Sequence, residues 1–119
     1  MSFYVPATVK VNIVQGSAHV EPIVLENEDG TPFQISTEFD DIKCDLRERR
    51  TKESPLIKSI SLGSGITITL INTLNLDLTN DSSEAKYYGD VRFLRTGTTD
   101  EWDTLLTLEC TNTLSVTKK

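Results

Sequence analysis

The strictest constraint in this sequence is the alternation of apolar and polar residues along its C-terminal third. Between Lys86 and Val116, Tyr87, Gly89, Val91 and Phe93 share one parity, and Leu106, Leu108, Cys110, Leu114 and Val116 share another. Thr107, Glu109 and Thr111 interleave with the second set. Successive side chains of a strand point to opposite faces, so this spacing predicts two strands, each with one buried and one wet face. The turn-rich run Arg95–Asp103 (RTGTTDEWD) is expected to join them as a loop.

The same period recurs upstream. Thr8–Val14 alternates, with Val9, Val11 and Ile13 on one side, and stops at Gly16. His19–Glu26 holds Val20, Ile23, Val24 and Leu25 around Pro22; a proline there marks an edge strand or its first residues. Asn27–Pro32 is a turn, because Asp29-Gly30 supplies a residue tolerant of positive φ. Phe39–Arg47 turns Ile42, Cys44 and Leu46 inward and Lys43, Asp45 and Arg47 outward. Glu48–Ser54 is a charged turn, Pro55–Ile60 a short strand, and Gly63-Ser64-Gly65 a break. Ile66, Ile68, Leu70, Leu74, Leu76 and Leu78 then occupy one face of a segment bent near Ile71–Thr73, and Asn80–Glu84 is a polar turn. No segment has a helical period. Seven or eight short strands at this spacing predict an all-β antiparallel sandwich or barrel.

A chain of 119 residues fits one domain, 1–119, large enough to bury its own core. The net charge of −6 disfavours a broad attraction to nucleic acid or an anionic membrane, and neither is expected as a partner. MSFYVPATVKV lacks the layout of a secretory signal, so synthesis in a cytoplasm, or a signal already removed, is expected. Cys44 and Cys110 share the parity of apolar neighbours and read as buried, reduced thiols.

Reactive constellations are sparse. His19 is the single histidine, so any Ser-His or Cys-His mechanism must use it, and no spacing pairs it with a nucleophile. Gly63–Gly65 lacks the helix that a nucleophile elbow or phosphate loop requires after it. Glu26, Glu28 and Asp29, like Asp40 and Asp41, lack the spacing of a calcium loop. No enzyme, metal site or cofactor is expected. The local reversal of sign at Arg47, Arg49, Arg50 and Lys52 is a solvated hairpin tip or a contact for an acidic protein. No aromatic residue interleaves with it along the chain, which weakens a nucleic-acid reading. Trp102, amid Asp100, Glu101 and Asp103, caps the sandwich end or anchors a contact. Tyr88 points outward beside Asp90 and Arg92, and Phe3 and Tyr4 precede the first clear strand. Phe3, Tyr4, Arg47, Arg49, Arg50, Tyr88 and Trp102 are therefore the candidate interface residues.

The order of pieces adds a resemblance. Val14-Gln15-Gly16, the Glu28–Pro32 turn, Ile42–Arg47, Pro55-Leu56-Ile57, Gly65–Ile68, Tyr87–Val91 and a closing strand Leu105–Thr117 follow one another in turn. This series resembles the immunoglobulin-like domain at the N-terminus of baseplate upper proteins of tailed bacteriophages, and related phage tail and fibre proteins. The resemblance covers roughly residues 8–117. It implies an immunoglobulin-like β-sandwich in a virion structural or adaptor protein of a tail, baseplate, neck or head decoration. It also implies a homo-oligomer with other virion structural proteins as partners, and any receptor-binding module is expected on a separate chain. A carbohydrate- or host-surface-binding module is the alternative.

Overall fold

The computed structural model describes residues 7–27, 29–80 and 82–113. They form eight strands and one helical turn: β1 (Ala7–Val14), β2 (Val20–Val24), α1 (Ile35–Glu38), β3 (Phe39–Arg47), β4 (Leu56–Leu62), β5 (Gly65–Thr69), β6 (Thr73–Asp77), β7 (Lys86–Arg95) and β8 (Trp102–Thr113). The strands join in the order β1-β8-β7-β3-β4-β5-β6-β2. The eight strands enclose one shared core, and the sheet nearly closes a barrel. The architecture is the expected all-β sandwich, with β2, the strand containing Pro22, at the end of the order.

The inward parity is as the alternation predicts. Ile42, Cys44 and Leu46 of β3, Tyr87, Val91 and Phe93 of β7, and Leu106, Leu108 and Cys110 of β8 are all buried. Leu74 and Leu76 of β6 meet them from the other layer with Ile66 of β5. Phe39 links the core to one end, with its ring 5.0 Å from Phe93 and 5.9 Å from Phe33.

Four features depart from the sequence reading. First, the sheet is mixed rather than antiparallel. β1 runs parallel to β8 from Ala7↔Leu106 to Val14↔Thr113, and β4 touches β5 in parallel at Ser61↔Gly65 and Leu62↔Ile66. First and last strands need no local connection, so periodicity cannot reveal their relative direction. Second, β7 and β8 extend to Arg95 and from Trp102, which shortens the expected Arg95–Asp103 loop. Third, Leu105 is buried beside Leu106, because the register steps from Val91↔Leu106 to Arg92↔Thr104 and leaves one extra residue. Fourth, Leu70 is 88% exposed, with φ of +53°, at the β5–β6 turn, where the reversal takes it off the inner face. The closing residues Leu114 and Val116 lie outside the described residues.

Two glycines are fixed by contact. Gly65 has φ of +97° at the corner between the layers, and a Cβ there would lie 2.5 Å from Ile60 Cγ2. A Cβ on Gly89 would lie 2.8 Å from Leu46 Cδ2 and 3.0 Å from the Asp45 carbonyl. Gly89→Ala is therefore expected to lower stability by about 1–3 kcal/mol, the usual range for overpacking. Leu70→Asn, which tolerates the left-handed conformation, is expected to raise it by about 1 kcal/mol. Thermal and denaturant unfolding followed by circular dichroism checks both.

Candidate functional site

The period of two that sends Cys44, Leu46, Gly89 and Val91 inward sends their neighbours onto one outer face. There Lys43 stands opposite Arg92, Asp45 opposite Asp90, and Arg47 opposite Tyr88. On the far side of β7, Tyr88 faces Glu109 and Asp90 faces Thr107. These rows are the floor of an open groove of about 640 Å³.

One wall is the β3–β4 loop, and a buried serine holds its shape. Ser54 Oγ donates to the Arg49 carbonyl (3.1 Å) and accepts from the Arg49 amide (3.2 Å). The Arg47 guanidinium donates to the Ser54 carbonyl at 3.0 Å and reaches Asp45 at 3.5 Å. This clasp presents Arg49, Arg50 and Lys52 to solvent along the groove. Arg50 lies over the Tyr88 ring, 4.6 Å from its centroid, and pairs with Glu109. Lys43 Nζ sits 4.3 Å from the centroid of the Trp102 ring, and Arg92 lies 5.7 Å from it.

Six cations line the groove, Lys43, Arg47, Arg49, Arg50, Lys52 and Arg92, against the lining carboxylates Asp45 and Asp90, with Glu109 beside them on Arg50. The face is thus positive on a chain of net charge −6. Like charges placed directly across two strands repel. Lys43 against Arg92, and Asp45 against Asp90, are two such pairs in adjacent rows. Asp45 is relieved by Arg47 and the Ser59 hydroxyl, while the Asp90 carboxylate has no hydrogen-bond or ion-pair partner among the described residues.

The candidate residues Arg47, Arg49, Arg50, Tyr88 and Trp102 therefore converge on one face. Trp102 does not cap the sandwich end; it is the first residue of β8 and lies on the outside of the sheet. Phe3 and Tyr4 lie outside the described residues. Lys43, Arg92 and Ser54 belong to the site and were not singled out from sequence. The outward parity of Lys43 and Arg92 was legible, but their meeting across β3 and β7 required the register. Aromatic rings do accompany the basic cluster, yet from other strands, so a linear scan misses them.

Elsewhere, His19 Nε2 meets Glu21 Oε1 at 2.9 Å, at the start of β2. Asp29 accepts from the Thr31 amide and hydroxyl, which hold its carboxyl below the usual range. Asp40 accepts from the Gly97 amide at 3.0 Å. Among the described residues, no three His, Cys, Asp or Glu side chains gather as a metal site. Cys44 and Cys110 are free and buried, and burial pushes both thiols up to about 12.

No family model matches the chain, and no curated protein matches it.

Ser54→Ala leaves the Arg49 amide and carbonyl without their partner. It is expected to cost about 1–2 kcal/mol and to speed hydrogen exchange at the Arg49 amide more than in β7. The raised thiols carry a pH signature. Unfolded cysteines ionise near pH 9 while the folded ones stay protonated to about 12. Their contribution is intact below pH 9 and is lost as pH rises through that window. Urea titrations across the window are expected to show falling stability, with a shallower fall in Cys44→Ala, and thiol reagents at pH 8 are expected to label only unfolded chain.

Proposed function

We propose that this chain is a bacteriophage virion structural protein, an adaptor that works through protein–protein interfaces in a tail, baseplate, neck or head decoration. The observation carrying this reading is the convergence of Arg47, Arg49, Arg50, Tyr88 and Trp102 on one exposed face of a stiff sheet. Tyrosine, tryptophan and arginine are the residues that dominate interface energetics. Held over aromatic rings and clasped by Ser54, several of these cations give up little further freedom on docking. The resemblance to phage baseplate and tail domains supplies the biological setting. The mechanism is geometric: the core sets the strand register, the register sets the pattern of outer charges, and that pattern selects the neighbour.

A carbohydrate-binding module is the second reading, supported by two aromatic rings beside an open groove. Cations already occupy a face of each ring, which reduces the surface open to a sugar.

Mass spectrometry of purified particles is expected to find the chain at a fixed ratio to tail or capsid proteins. Its confinement to the soluble lysate would refute the structural role. Glycan-array binding lost in Trp102→Ala would establish the second reading instead.

A further inference from the structure

The charges of this molecule are separated along its strands. β3 carries Asp40-Asp41 just after its first residue, Phe39, and ends at Arg47, with Arg49, Arg50 and Lys52 outnumbering Glu48 and Glu53 in the loop beyond. The six to seven residue steps between them hold those two groups about 20–23 Å apart. Around the start of β3 the fold gathers more carboxylates from three segments. Asp29 and Glu38 line one hollow, and Asp100 and Glu101 stand on the β7–β8 turn. That turn is braced, since the Thr96 amide donates to the Glu38 carbonyl at 3.1 Å and the Gly97 amide to Asp40. The one cation that the β7–β8 turn region contributes, Arg95, is held in a two-pronged pair by Asp103.

We propose that the basic groove docks the acidic end of a second copy of this chain, with the β7–β8 turn of one molecule lying against Arg49 and Lys52 of the next. This deepens the interface reading above and rests on it. The occupant is argued from charge. Arg49 and Lys52 are exposed and have no carboxylate in ion-pair reach among the described residues. Asp100 likewise has no cation in such reach, and Glu101 feels only the longer-range attraction of Arg95, which is itself held by Asp103. The two sets sit at opposite ends of one rigid sheet, so they cannot meet within a molecule. Between molecules they are complementary, which favours encounter and fixes orientation. The contact joins two different surfaces, the kind that closes into a ring or extends as a filament. Carboxylates brought into the groove would also ease the repulsion between Lys43 and Arg92, which the Trp102 ring only partly offsets.

The test uses neutralising variants of the full chain: Arg49→Ser with Lys52→Ser in one, Asp100→Asn with Glu101→Gln in the other. These positions are exposed, and circular dichroism confirms folding of each variant before use. Sedimentation is run up to millimolar chain at about 0.01 M salt, where the Debye length is about 30 Å, and at about 1 M, where it is about 3 Å. Wild type is expected to associate at low salt and dissociate at high salt. Each variant alone is expected to associate at least about tenfold more weakly. Mixed, the two variants are expected to form a one-to-one pair that grows no further, because each retains one competent surface. Wild type that stays monomeric overturns the proposal, as does association that either variant leaves unchanged. Binding of a single-stranded oligonucleotide that is lost in the arginine–lysine variant, without self-association, overturns it in favour of an anionic polymer. A monomeric chain found at fixed ratio in purified particles overturns the self-contact and leaves the structural role standing.

Discussion

Everything distinctive about the outer face depends on the ladder that joins β3, β7 and β8. In a strand, an inward side chain commits both of its neighbours to the opposite face. Burial of Cys44, Leu46 and Val91 therefore places Lys43, Asp45, Arg47, Asp90 and Arg92 in a fixed grid. Sliding one strand by one residue would expose a core residue and bury a charge, so the hydrophobic core enforces the register. The groove's chemistry is set from the other side of the sheet.

That grid is not the arrangement that stability alone would favour. Alternating opposite charges across β3 and β7 would give attractive pairs, whereas this face opposes Lys43 to Arg92 and Asp45 to Asp90. Nearby groups soften the conflict: Arg47 and Ser59 serve Asp45, and the Trp102 ring attracts both Lys43 and Arg92. The repulsion is small in water, because exposed charges are screened. It becomes larger wherever water is excluded from the face, in keeping with the interface role proposed above. Local features that oppose the fold's own stability are concentrated where a protein meets something else.

The clasp at Ser54 shows how a loop is made part of a surface. Its hydroxyl both donates to and accepts from Arg49, and Arg47 donates to its carbonyl. A polar side chain that is nearly fully buried would be costly without such partners. With them, the loop's Arg50 is held in relation to Tyr88 on the neighbouring strand β7 and Glu109 on β8 beyond it.

The sequence by itself determined which residues are inside. Tyr87, Val91, Phe93, Ile42, Leu46, Leu74 and Leu76 were legible as core because the period of two is a local property of a strand. It also marked the arginines and Tyr88 as outward, Trp102 as an end cap or a contact anchor in a loop, and Gly65 as part of a break. Tertiary structure alone decided which outward residues meet. Trp102 looked like a loop residue because its run is polar, yet pairing with β7 extends β8 through it. Leu70 kept the inward parity, but the reversal after β5 turned it to solvent. The direction of β1 against β8, the stack of Lys43 and Arg92 on Trp102, and the seating of Arg50 over Tyr88 all join residues far apart in sequence. Their physical cause is strand register, which hydrophobic spacing constrains only modulo two and which the closing of the core makes unique.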